Sequence, residues 1–111
     1  MIKEWPVPMS DRRDEVRYCV TLDVYWQGPN GRSKGTISDI NRSGCYVLSG
    51  ERVSTGETIH LFVPTEHERN TQFTGVVTNQ QDEIGFAVRF EKLSEDQGSM
   101  LDELIYEHAE A

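Results

Sequence analysis

Apolar and polar side chains alternate between about residues 17 and 27 of this 111-residue chain. One side of the resulting strand carries only apolar residues: Val20, Leu22, Val24 and Trp26. The turn sequence at residues 28–31, Gly-Pro-Asn-Gly, follows directly, and Asn-Gly favours the positive φ angles of a tight hairpin. A period of two that ends in a sharp turn predicts an antiparallel sheet with one buried face.

Five more extended runs follow, each bounded by turn residues. They cover residues 34–40, 45–48, 58–63, 72–78 and 84–90. Pro64 is expected to end the fourth run, because proline has no donor for a central ladder. A polar turn is predicted at residues 79–82, between the last two runs. Six short strands separated by turns predict a small antiparallel barrel or sandwich.

The end of the chain has a helical pattern instead. Ser94 can cap a helix, with Gln97 as the reciprocal partner three residues later. One helical face then carries the residues expected to pack on the strands, Leu101, Leu104, Ile105 and His108. We therefore predict a C-terminal helix over about residues 94–108.

The net charge of −8 is concentrated at the C-terminal end. Residues 91–111 hold one lysine and seven carboxylates, so this segment alone carries −6. Such a field repels long polyanions, which argues against DNA or RNA as a partner. An alternative is a small barrel that binds single-stranded nucleic acid through aromatic side chains along a basic groove. The acidic balance disfavours that alternative.

Neither a membrane span nor a secretory leader is recognisable in the sequence. No stretch approaches the roughly 18 apolar residues that a spanning helix needs. Trp5 and Pro6, with the charged residues beside them, interrupt any apolar core at the start. Cys19 and Cys45 are expected to be buried, reduced thiols. These observations predict a cytoplasmic protein without direct membrane insertion.

Few residues in the sequence are arranged for catalysis. His60, His67 and His108 are scattered and lack metal-ligand spacing. Neither cysteine has a convincing histidine partner in the sequence, and no glycine-rich phosphate loop opens a helix. We therefore expect a protein that is not an enzyme and that carries no metal or cofactor.

Two polar motifs lie just before the first predicted strand and at the end of the second. The first contains Arg12, Arg13 and Arg17, and a guanidinium fork is well shaped to grip phosphate oxygens and to stack on a base. The second is Asp-Ile-Asn-Arg-Ser-Gly at residues 39–44, where Asp and Asn beside a Gly turn can read a base edge. Taken alone, each motif has a simpler interpretation, a solvated arm or an ordinary turn. Together they favour a nucleotide site.

These motifs resemble those of one known family. Residues 13–17, Arg-x-x-x-Arg, preceded by a further arginine, resemble the Arg-x-x-x-Arg motif of PilZ domains. Residues 39–44, Asp-x-Asn-x-x-Gly, resemble the family's Asp/Asn-x-Ser-x-x-Gly motif. Residues 84–90 are similar to the glycine-containing last strand of the family's barrel. The resemblance covers roughly residues 11–107.

The resemblance implies a fold and a ligand. The fold is a six-stranded antiparallel Greek-key β-barrel with a C-terminal helix. It divides the chain into a flexible N-terminal arm, residues 1–11, and a barrel domain, residues 12–111. The ligand is the bacterial second messenger cyclic di-GMP, over which the arm closes. With no second domain for an output, the chain is expected to present its new surface to a downstream protein, such as motility or exopolysaccharide machinery.

The family also implies a role for each motif residue. Arg13 and Arg17 are expected to contact the phosphates and guanine faces, and Arg12 to add a further cation. Asp39 is expected to accept hydrogen bonds from a guanine edge. Gly44 is expected to allow the tight turn and a close approach of the backbone.

Two positions depart from the family pattern. Asn41 stands where the family usually has Ser. Its amide also donates and accepts hydrogen bonds but has a different reach, so it either replaces the hydroxyl contact or tightens the turn and weakens the site. Asn79 stands near a position where many members carry Trp, which removes an apolar contact. The alternative function is therefore a PilZ-like protein-interaction adaptor that does not bind nucleotide.

Overall fold

The alternating runs of the sequence form the strands of one closed barrel. The computed structural model describes residues 16–64 and 70–110. Its elements are β1 (Tyr18–Gly28), β2 (Gly31–Ile40), β3 (Gly44–Leu48), β4 (Thr58–Pro64), β5 (Asn70–Gln81), β6 (Gly85–Phe90) and α1 (Glu95–His108). The strand order β1-β2-β3-β6-β5-β4 closes by pairing β4 with β1, and all pairings are antiparallel. The order β4-β1-β2-β3 is a Greek key, so the predicted barrel with its C-terminal helix is confirmed.

The predicted apolar face of β1 fills part of the barrel interior. Its four residues, Val20, Leu22, Val24 and Trp26, are all buried. Trp26 packs edge-on against Phe86, with 5.0 Å between the ring centroids. This tryptophan is therefore a core residue, and the polar residues between the four point outward. Removing such apolar surface from water is the main stabilising contribution to a fold of this kind.

Helix α1 begins at the predicted cap. The Ser94 hydroxyl accepts a hydrogen bond from the Gln97 backbone N–H at 3.0 Å, and the Gln97 side chain accepts one from the Ser94 N–H at 2.9 Å. Leu101 and Leu104 are buried against the barrel, as their spacing predicted. Within residues 16–64 and 70–110, no helix is long and apolar enough to cross a bilayer.

Two sequence predictions were wrong. Cys19 is exposed, because it lies on the outer face of β1, whereas Cys45 is buried as expected; both are free thiols. The turn predicted at residues 79–82 is placed too early, since β5 continues through Gln81 in register with β6 and only Asp82 of the four lies in the turn. The turn comes later and contains Glu83, whose φ is 66°. Polar residues are compatible with the solvated face of a strand, so polarity alone placed this turn too early.

Candidate functional site

A register shift at Ser38 turns Asp39 to the outside of the barrel. The ladder of β2 with β3 shifts between Ile37 and Asp39, and the ladder with β1 shifts opposite them, between Cys19 and Leu22. Strict alternation would put Asp39 on the same side as Ile37, which is only 1% exposed. Instead Ile37 and Ile40 both face the core, and the Asp39 side chain is 32% exposed. A bulge is a common way to re-aim one side chain of a strand, and here it places a carboxylate on the outer surface.

Asp39 belongs to a row of cross-strand neighbours on that outer surface. From β1 to β5 the row is Cys19, Asp39, Tyr46, Ala87 and Asn79. Directly opposed side chains in antiparallel strands have Cβ atoms about 4.5–5.5 Å apart. A molecule lying on this face would therefore meet residues that are up to 68 positions apart in the chain.

Arg17 and Asp39 form an ion pair in this region. The Arg17 Nη1 donates to the Asp39 Oδ1, across 22 residues of sequence. The two side chains are 51% and 32% exposed, so the pair is open to solvent. A guanidinium has five N–H donors and a carboxylate about four acceptor positions, so the pair can hold further polar groups. The fold thus brings together one residue from each of the two sequence motifs.

A neutral core lies beneath this ion pair. Burial raises the pKa of the Cys45 thiol far above its ordinary value. The nearby Asp39 carboxylate raises that pKa further, whereas the Arg17 guanidinium lowers it. The thiol therefore stays protonated and unreactive, and the charge of the site is confined to its outer surface.

Asn41 organises the turn between β2 and β3. The residue is buried, at 6% exposure. The Asn41 Oδ1 accepts hydrogen bonds from the backbone N–H groups of Ser43 and Gly44, at 2.8 and 3.0 Å. Such a side-chain carbonyl mimics a backbone turn. The Asn41 side chain thus has a role within its own turn, and its expected effect on ligand binding stays a prediction.

Gly44 gives β3 the space to pair closely with β6. A Cβ atom at this position would lie 2.0 Å from the Val88 carbonyl oxygen and 3.2 Å from the Arg89 Cα. The glycines with positive φ are Gly31 and Gly56. Gly44 is therefore required by the close approach of two strands rather than by a left-handed turn conformation.

Arg89 is a candidate site residue that the motifs did not identify. It lies opposite Gly44 on β6 and is exposed. The alternation of β6 was the available clue, because Val88 and Phe90 on either side are buried. Arg42, although it belongs to the second motif, pairs instead with Asp102 of α1 at 3.4 Å. The outer surface beside Gly44 thus gains a cation from the last strand.

Two of the expected arginines, Arg12 and Arg13, lie outside the described residues. The described chain begins one residue before Arg17. Among residues 16–64 and 70–110, no group of three or more His, Cys, Asp or Glu side chains is placed to hold a metal ion. The described part of the site consists of Arg17, Asp39, the turn at residues 41–44, and the adjoining residues on β3 and β6.

The chain belongs to the PilZ domain family, whose family model matches residues 11–107. The match includes both polar motifs and all six strands. No curated protein matches the chain.

Solved structures of PilZ proteins share the fold. The PilZ domain of YcgR from Escherichia coli, solved with c-di-GMP, has a TM-score of 0.73 at 13% identity, covering 87% of this chain and 91% of that one. The PilZ domain of CeSA from a cellulose-synthesizing bacterium has a TM-score of 0.65 at 12% identity, with coverages of 83% and 96%. The Bacillus subtilis inhibitor of motility MotI/DgrA has a TM-score of 0.66 at 23% identity; 91% of this chain matches 56% of that one. At sequence identities of 12–23%, these matches show that the fold is shared.

Proposed function

We propose that this PilZ domain is a cytoplasmic receptor for cyclic di-GMP. The observation that supports it most is the Arg17–Asp39 pair on the outer face of the barrel, beside the turn at residues 41–44. Cyclic di-GMP has two phosphate charges and two guanine bases, so its site needs cations, flat surfaces and groups that read base edges. Arginine supplies charge-assisted hydrogen bonds and stacking. A carboxylate accepts from the N1–H and N2–H of guanine, whereas adenine has an acceptor at N1.

The arginines before β1 give the proposal its mechanism. When the ligand binds, Arg12 and Arg13 would join Arg17 on the phosphates and guanine faces, and the N-terminal arm would close over the nucleotide. Closure of this kind creates a composite surface through an order–disorder switch. A downstream protein would read that surface. Motility and exopolysaccharide machinery are the partners we favour, in line with the inhibitor of motility and the CeSA domain that share the fold.

Calorimetric titration of the whole chain tests the ligand. We expect saturable binding of cyclic di-GMP and no measurable binding of GTP or cyclic di-AMP at the same concentrations. GTP has the guanine but not the cyclic dinucleotide, and cyclic di-AMP has the ring of phosphates but the wrong base edge. Equal binding of cyclic di-AMP would remove the guanine-reading role of Asp39.

A second candidate function is the adaptor that binds no nucleotide. The observation in its favour is that the Asn41 side-chain carbonyl already serves two backbone donors within its own turn. The Asn41→Ser variant separates the candidates in the same titration. If the chain is a receptor, the wild type binds and the variant stays within a few-fold of it. Binding that appears only in the variant would identify the adaptor.

A further inference from the structure

Tyr46 lies beside Asp39 on the outer face of the barrel. It is the β3 partner of Asp39 on one side and of Ala87 on the other. It is half-buried, and no role follows for it from the two sequence motifs. Cross-strand partners of this kind bring side chains within about 5 Å of each other at Cβ. The two side chains thus start side by side on one surface, Asp39 from β2 and Tyr46 from β3.

The Tyr46 ring extends over β6. A Cβ atom on Gly85 would lie 2.9 Å from the Tyr46 Cε2, so the ring occupies the space above this glycine. Beyond it, the Tyr46 hydroxyl donates to the Gln81 side chain of β5, and Gln81 is itself the register partner of Gly85. A glycine under the ring and a hydrogen bond at its far end hold the side chain across the strands. One side of the ring is then covered by the barrel, and the other is available to a ligand.

We propose that one guanine base of cyclic di-GMP stacks on Tyr46 with its edge toward Asp39. This inference rests on the proposed function and adds to it the aromatic surface that receives the base. The cations needed beside such a base are present, since Arg17 pairs with Asp39, and Arg89 lies two residues beyond Ala87, the β6 partner of Tyr46. Base–aromatic stacking is a main source of affinity in nucleotide-binding grooves.

The departure at Asn79 fits the same arrangement. Asn79 lies in the same row as Tyr46, separated from it by Ala87 of β6. The aromatic side chain of this row therefore stands on β3 rather than on β5.

Calorimetry and NMR on Tyr46→Leu and Tyr46→Phe test the stacking. Tyr46→Leu is expected to weaken cyclic di-GMP binding about ten-fold or more, because the ring is lost. Tyr46→Phe keeps the ring and is expected to stay within about three-fold of the wild type. The guanine H8 resonance of the bound ligand should move upfield in the wild type and Tyr46→Phe but not in Tyr46→Leu. Tyr25→Leu is the matched control, since Tyr25 is an exposed tyrosine farther along β1.

The outcomes separate the two proposals. If Tyr46→Leu binds cyclic di-GMP as tightly as the wild type, and no variant shows an upfield H8 shift, the stacking proposal is overturned. The proposed receptor function would still stand. Equal losses in Tyr46→Leu and Tyr25→Leu also overturn it, because a general effect of removing tyrosine would then explain the result. No binding by the wild type overturns the receptor and the stacking together.

Discussion

Replacing Arg17 or Asp39 with alanine is expected to weaken cyclic di-GMP binding by about ten- to a hundred-fold, beyond ordinary calorimetric detection if the wild-type affinity is micromolar. A hydrogen bond to a charged group contributes about 1.5–3 kcal/mol, which corresponds to that change in affinity. Asp39→Ala removes the guanine-edge acceptor and also the partner of the Arg17 guanidinium. The free energy of unfolding of both variants is expected to stay within about 1 kcal/mol of the wild-type value, because exposed ion pairs contribute little to stability.

Arg32→Ala is the matched control for this prediction. Arg32 is also an exposed arginine, but it stacks on the Phe62 ring 4.5 Å away, toward the far end of β1. Its replacement removes one positive charge from the same chain without touching the proposed site. If Arg17→Ala and Asp39→Ala both fold and both bind as tightly as Arg32→Ala, the site is elsewhere.

Replacing Gly44 with alanine is expected to lower the free energy of unfolding by about 3 kcal/mol. A Cβ atom there would lie 2.0 Å from the Val88 carbonyl oxygen. Because the obstacle is backbone, it cannot rotate aside, and β3 must move away from β6. Overpacking of this kind costs about 1–3 kcal/mol, occasionally more. Urea unfolding measures the change directly, and the same shift of β3 would also displace the turn that Asn41 holds.

Gly50→Ala provides the comparison for Gly44→Ala. A Cβ atom on Gly50 would meet nothing within 4 Å, and its φ is not positive. Its unfolding midpoint is expected to match that of the wild type. Equal unfolding midpoints for the two alanine variants would contradict the prediction. They would show that β3 and β6 accommodate the added Cβ atom without a loss in the free energy of unfolding.

Local patterns predicted much of this fold correctly. The alternation of β1 identified its buried face, because side chains on a strand take opposite sides with a period of two. The Ser94–Gln97 pair located the start of α1, because a capping box depends on only four consecutive residues. Features that are determined within one element can be predicted from that element alone.

The surface of the site depends on contacts that no single segment determines. The bulge at Ser38 decides that Asp39 points outward, and only the two ladders of β2 reveal it. The spacing of three between buried Ile37 and Ile40 was the available clue. The position of Tyr46 over Gly85 results from the register between β3 and β6, which lie about 40 residues apart. Non-local register of this kind has no signature within either strand.

Hydrogen exchange with and without saturating cyclic di-GMP tests the central claim most directly, namely that the ligand is held between the N-terminal arm and the corner formed by Asp39 and its turn. We expect exchange to slow strongly in peptides covering residues 5–17, which lie largely outside the described residues, and in those covering residues 39–46. Protection in both segments would support a site made from both motifs. Unchanged exchange in these segments, or protection confined to residues 23–36 at the other end of β1 and β2, would contradict it.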